Sequence, residues 1–192
     1  MTLLETQFAL LSTEDTPSVM EPMAGDPRGK NVLSLRQYTE EDMQQLFEEA
    51  DAAAAIIRDP ATRGVNLLSF IALKSVMRQP STRTAGSMDT AMEKLGGSSE
   101  VISGMQGSSE AKGESLSDSW LAFATQADIL ATRTAEDFGP HEAALTIAGY
   151  FNAGKLHERT PVINLGDGRN EHPTQALGDM YTINGSLVGW VA

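Results

Sequence analysis

At 192 residues the chain has the length of one large domain, and its apolar fraction is ordinary for a globular protein. It carries 26 acidic against 14 basic side chains, a formal charge of −12, which counts against nucleic acid or an anionic membrane as partner and makes any cluster of cations informative. With no cysteine there is no disulfide, thiolate metal ligand or thiol nucleophile, and with no basic region leading an apolar core and no membrane-length apolar run, a soluble cytoplasmic protein is the expectation.

Residues 1–30 contain Pro17, Pro22, Pro27 and two glycines, with one apolar patch at Phe8–Leu11. They read as an extension, partly disordered or docked on the surface. Thr39 followed by Glu40, Glu41 and Asp42 is a helix start, a capping hydroxyl before an acidic first turn. Met43, Leu46, Phe47, Ala50 and Ala54 then recur at helical spacing to about Ile57, and Pro60 and Gly64 end the run.

Beyond this point the pattern alternates. Strands are expected over Leu68–Met77, Glu100–Ser103, Asp128–Thr132 and Val162–Leu165, and helices over Arg83–Leu95, Glu114–Thr125, His141–Asn152 and Pro173–Ile183. Strands separated by helices with short connections imply an α/β domain, a parallel sheet with helices on both faces in three layers. Leu187–Ala192 reads as the start of a further strand.

In such sheets ligands bind beyond the carboxyl ends of the strands, and every polar cluster of note falls there. The first is Gln79-Pro80-Ser81-Thr82-Arg83-Thr84, between the first strand and its helix. The unpaired N–H groups and partial positive charge of a helix start favour a phosphate. Ser81 falls at the N-cap, Thr82 and Thr84 add hydroxyls, and Arg83 adds a planar charged fork. The plain alternative is that Ser81 only caps the helix. The second cluster is the glycine-flanked loop Gly107–Glu114, whose Ser108 and Lys112 can approach a phosphate or carboxylate, or else form a solvated surface loop. The third is Arg133 at the end of the third strand, either facing the crevice or pairing with Glu136 or Asp137 on the surface. In the fourth, Pro173 suits a first helical turn and puts His172 at the N-cap, with Gln175 on the same helix-end face. An imidazole there can donate to a developing oxyanion, its pKa lowered by the positive helix end.

The ordered set Pro80-Ser81-Thr82-Arg83-Thr84, Ser108 with Lys112-Gly113-Glu114, Arg133, and His172-Pro173-Thr174-Gln175-Ala176-Leu177 resembles the carbamoyl-phosphate domain of the aspartate/ornithine carbamoyltransferase family. Asn164-Leu165-Gly166-Asp167-Gly168 and Lys112-Gly113-Glu114 resemble the aspartate branch. Two positions depart from the family pattern: Ala85 stands where an Arg is usual, and Thr134 where the aspartate branch usually carries His, closer to the ornithine branch.

The resemblance implies transfer of a carbamoyl group from carbamoyl phosphate to the amine of L-aspartate, giving N-carbamoyl-L-aspartate and phosphate in pyrimidine biosynthesis, with no metal or organic cofactor. It implies that Ser81, Thr82, Arg83 and Thr84 hold the phosphate, and that Thr84, Arg133 and His172 stabilise charge on the carbonyl oxygen. Gln175 or a nearby backbone carbonyl would orient the carbamoyl amine. Ser108 and Lys112 would reach a neighbouring subunit's site in a homotrimer. By the same resemblance residues 31–185 are the carbamoyl-phosphate domain, and 186–192 begin an amino-acid-binding domain whose absence would leave the chain nearly inactive. Alternatives are an ornithine-type transferase, a domain that binds the anion without catalysis, and an inactive homologue supporting a partner's assembly.

Overall fold

A computed structural model of the chain describes residues 19–62, 66–104 and 115–191, the last six as backbone only. Four parallel strands, β1 (Ala72–Met77), β2 (Ser98–Ser103), β3 (Ile129–Thr134) and β4 (Val162–Asp167), form one sheet in the order β2-β1-β3-β4. The helices are α1 (Glu40–Arg58), α2 (Thr82–Lys94), α3 (Leu116–Ala124), α4 (Gly139–Asn152) and α5 (Pro173–Val191).

Period-two alternation along the strands divides the apolar side chains between two layers. Val76, Leu130 and Val162 pack with Trp120 and Ala124 of α3 and with Ala143, Ala144, Ile147 and Ala148 of α4. Leu73, Met77, Ala131 and Leu165 face the other way, against Met92, Met88 and Ala85 of α2. Helices therefore cover both faces, giving the three layers expected. The central strand β1 is buried almost throughout, whereas the edge strand β2 is mostly exposed.

Strand order decides where a ligand can sit. The chain leaves β1 for β2 on one side, then crosses back to β3 on the other. The connections after β1 and β3 thus diverge to opposite faces and leave a crevice at their carboxyl ends. That crevice receives the loop after β1, which leads into α2, and the end of β3, which carries Arg133.

The segment before α1 is part of the fold from Val19 onward, and Val19 and Leu33 are core residues. Val32 lies parallel to β4, with Val32 N–H donating to Val162 O and Asn164 N–H to Val32 O. Asn31 Oδ1 accepts from Val162 N–H (2.8 Å), and Asn164 Nδ2 donates to Leu33 O (3.0 Å). The part of the expected extension over 1–18 lies outside the described residues.

Several expected boundaries move. Leu67–Phe70 is a turn, closed by Ile71 N–H on Leu68 O, with Phe70 at φ +68°, so β1 begins only at Ala72. β3 runs on through Thr134, which makes Arg133 a strand residue. The expected strand at Leu187–Ala192 is replaced by helix as far as Val191; a short apolar run does not distinguish the two by pattern, and a helix satisfies its backbone without a partner strand. The helix start at Thr39 holds in detail: Thr39 Oγ1 accepts from Asp42 N–H while the Asp42 carboxylate accepts from Thr39 N–H, a reciprocal cap.

Candidate functional site

An open cavity of about 710 Å³ lies at the crevice, lined by Ser81, Arg83, Thr84, Arg133, His172 and Gln175 together with Ser87, Met88, Leu165 and Thr174. Three stretches distant in sequence meet there, residues 81–88, Arg133 and residues 165–175. Ser81 occupies the N-cap position of α2 in extended conformation, yet its hydroxyl makes no cap bond. It donates instead to Thr84 Oγ1 (2.9 Å). The first-turn N–H groups are therefore not capped by Ser81, which decides against a purely capping role and leaves the helix end suited to an anion.

Arg133 does not pair with Glu136 or Asp137. Asp137 instead receives Arg169, through its backbone N–H (2.7 Å) and its guanidinium (3.5 Å). Arg133 Nη1 donates to Leu165 O (2.9 Å), which pins one branch of the fork to β4, and its Nε is buried with no partner among the described residues. Gly166, at φ +115°, makes room for this: a Cβ there would fall on Arg133 Nη1 and lie 3.2 Å from His172 Cδ2. Glycine lets guanidinium and imidazole share one wall of the cavity.

His172 immediately precedes α5. Gln175 N–H points at its Nδ1 (3.4 Å), and Thr174 Oγ1 lies 3.2 Å from the same atom. An Nδ1 that accepts carries no proton, so the neutral ring bears its proton on Nε2 and can donate from there. Burial pushes the imidazole pKa below its ordinary value and the Arg133 guanidinium adds to the effect, opposed by Asp167 and Asp179. The direction is the one expected, but the leading cause is desolvation rather than the helix end. Gln175 Nε2 donates to Asp179 Oδ1 (2.8 Å), which turns its Oε1 into the group available as acceptor.

Thr82 is exposed and does not line the cavity, so of the hydroxyl cluster only Ser81 and Thr84 do. Ser108 and Lys112 lie outside the described residues. The two departures noted in the sequence fall away from the cavity. Ala85 packs against the α2-side core, and Thr134, buried, bonds Glu136 O to shape the turn after β3.

Sequence reasoning missed the layer behind the site. Asp167, 2 % exposed, accepts from Phe138 N–H (3.0 Å), Asn170 Nδ2 (3.1 Å) and Glu171 N–H (2.9 Å). It thereby joins the turn after β3 to the loop before His172. His141 Nδ1 lies 3.8 Å from Asp167 Oδ2, and burial depresses its pKa. The Gly-Asp-Gly sequence was the available signal, since Gly168 at φ +52° is a position where an added Cβ would strike Ala135 O and Asp137.

The family described as aspartate/ornithine carbamoyltransferase, carbamoyl-P binding domain, matches residues 30–185. The chain belongs to this family. Among its relatives, the aspartate carbamoyltransferase catalytic subunit of Cellvibrio japonicus is 38% identical over 160 residues, which are 83% of this chain and 43% of that protein. The catalytic subunit of Methanocaldococcus jannaschii is 36% identical over 154 residues, covering 80% of this chain and 46% of that one. Among solved structures, the aspartate transcarbamoylase of Trypanosoma cruzi in complex with carbamoyl phosphate superposes with a TM-score of 0.70 at 31% identity, covering 86% of this chain and 49% of that one. The chain thus spans about half the length of the family members it matches. Among the described residues no helix is long and apolar enough to cross a membrane.

Proposed function

We propose that this chain is the carbamoyl-phosphate-binding half of an aspartate carbamoyltransferase, a transferase of pyrimidine biosynthesis. The observation that carries the reading is the cavity at the switch between β1 and β3, where an uncapped helix start, two arginines and an Nε2–H imidazole converge. A dianionic phosphate is met by the α2 N–H groups, Ser81, Thr84 and Arg83, with Thr82 contributing its backbone N–H. A carbonyl joined to that phosphate then falls toward Arg133, His172 and Thr84.

Attack of an amine on the carbonyl carbon forms the C–N bond and moves negative charge onto the carbonyl oxygen. Donors fixed beforehand, the Arg133 fork and His172 Nε2–H, stabilise that charge most where it is greatest. The C–O bond to phosphate then breaks, phosphate leaves with the bonding pair, and it accepts the proton the amine gives up. Gln175 Oε1 receives an N–H of the carbamoyl group and fixes its rotation. All the developing charge is matched by side chains and helix N–H groups, so the reading includes no metal or organic cofactor.

The aspartate names of the relatives favour L-aspartate as the acceptor amine. Its carboxylates need anchors beyond those described here, and positioning is a large part of the rate. The complete reaction is accordingly assigned to a longer protein that includes an amino-acid-binding domain, assembled as a cytoplasmic homotrimer in which Ser108 and Lys112 enter a neighbour's site. Calorimetry with phosphonoacetamide, a carbamoyl phosphate mimic with a methylene in place of the labile bridging oxygen, tests the core of this reading. Saturable binding by this chain, competed by inorganic phosphate, is expected; no binding of either ligand at millimolar concentration would refute it.

A further inference from the structure

The six-residue stretch between Gly166 and Pro173 carries His172, and several of its bonds run to residues outside the lining of that cavity: Phe138, Thr134, Asp137, Ser34 and Leu35. Glu171 makes the longest reach. Its Oε1 accepts from Ser34 Oγ (2.8 Å) and its Oε2 from Leu35 N–H (2.9 Å), both of them 136 or more residues away. Its own N–H donates to Asp167 Oδ1 (2.9 Å), and its carbonyl accepts from Asp167 N–H (3.1 Å). Ser34 is buried at 2 % exposure and is held in turn: Gln37 Oε1 accepts from the N–H groups of Leu33 (2.7 Å) and Ser34 (3.0 Å). The segment Asn31–Ser34 is itself stitched along β4 by Asn31 and Asn164. Glu171, the residue immediately before the imidazole, is therefore bonded to this hydrogen-bonded strap.

We propose that Glu171 is a positioning residue that sets the imidazole of His172 by tethering the β4–α5 loop to Ser34 and Leu35. The proposal rests on the functional reading above for its consequence in binding, though not for its geometry. A carboxylate held at both oxygens by the strap fixes the peptide Glu171–His172, and with it the Cα–Cβ direction of His172. Only with that direction fixed does Nδ1 meet Gln175 N–H and Nε2 face the cavity beside Arg133. A loop freed at this point keeps the helix start and the phosphate cradle on α2, because those belong to the connection after β1. The tether thus separates two parts of one ligand: it governs the carbonyl end and leaves the phosphate end alone.

The test uses this chain with Glu171→Ala, Glu171→Gln and Ser34→Ala, and follows the His172 imidazole by NMR through a pH titration. The charged groups bearing on that ring are Arg133, Asp167 and Asp179. In the native protein the titration midpoint is expected below 6.5, and in Glu171→Ala it should rise toward 6.5 as the ring leaves its half-buried place beside Arg133. Loss of a nearby negative charge alone would move the midpoint the other way, so the sign distinguishes repositioning from a charge effect. Phosphonoacetamide should bind Glu171→Ala about tenfold more weakly, with inorganic phosphate changed less than about twofold. Glu171→Gln retains an acceptor for Leu35 N–H and should recover most of both properties. Ser34→Ala removes one of the two tether bonds, leaves the carboxylate in place, and should fall between, which keeps the test decisive if Glu171→Ala does not fold. A native-like His172 titration and native phosphonoacetamide affinity in Glu171→Ala, whatever its melting temperature, would overturn the proposal. If the unaltered chain binds neither ligand, the functional reading fails, and the titration by itself still supports or overturns the tether.

Discussion

Replacing Gly166 by Ala should damage binding more than its single methyl group suggests. The φ of +115° at this position is one that L side chains rarely adopt, and holding it costs on the order of 1–3 kcal/mol. The new Cβ would also fall on Arg133 Nη1, 3.1 Å from Arg133 Cζ and 3.2 Å from His172 Cδ2. The backbone cannot yield easily, because Gly166 N–H donates to the buried Asn164 Oδ1 (2.8 Å) and Leu165 is fully buried. The guanidinium is the softer partner, so relief comes by its leaving the Leu165 carbonyl. A charge-assisted donor lost from the carbonyl end of the ligand weakens binding by about 1.5–3 kcal/mol, or roughly ten- to a hundredfold. Calorimetry with phosphonoacetamide and inorganic phosphate, set beside urea unfolding, separates the two effects. The amide-bearing ligand should lose far more affinity than phosphate, and the fold should lose only the backbone strain. Unchanged phosphonoacetamide affinity with reduced stability would show that Arg133 is not held at the site by the absence of that Cβ.

Arg83→Ala should weaken phosphate and phosphonoacetamide alike, by about tenfold, since Arg83 acts at the end the two ligands share; calorimetry showing native affinity would remove Arg83 from the site. Stability should also fall with acidification before the carboxylates titrate. Burial depresses the pKa values of His141 and His172 below 6.5, so on lowering the pH through 6.5 the unfolded chain binds protons that the folded chain does not. The stability is complete above that range and declines through it, by up to about 1.4 kcal/mol per pH unit for the buried His141 and by less for the half-buried, solvent-screened His172, and His141→Gln should flatten the slope in urea melts at pH 7.5 and 5.5. For the longer protein, mixing Lys112→Ala with His172→Ala should restore activity through hybrid trimers holding one intact site. No recovery, with light scattering showing that mixed trimers have formed, would place Lys112 in its own subunit's site.

Local chemistry was legible in the sequence where it is decided locally. Thr39 and Asp42 cap α1 whatever surrounds them, because both partners lie within one turn. The alternation of apolar strands with amphipathic helices fixed the class, since parallel strands require crossovers and a sheet covered on both faces requires apolar residues on both. Pro173 and the hydroxyls after β1 marked helix starts that their residue types favour. What tertiary structure alone decided is which of these features meet. Whether the Ser81 hydroxyl caps α2 depended on Thr84 taking its proton, and whether Arg133 pairs with Asp137 depended on Arg169 being there first. Neither partner choice has a periodicity, and each is settled by competition among groups brought together from distant positions. The tether from Glu171 to Ser34 crosses 137 residues and was invisible for the same reason. The strand order β2-β1-β3-β4 belongs with these, because the alternation of elements is the same for every order of parallel strands. Only burial of two apolar faces, with each crossover returning to the side that covers them, selected the order that opens a crevice between β1 and β3.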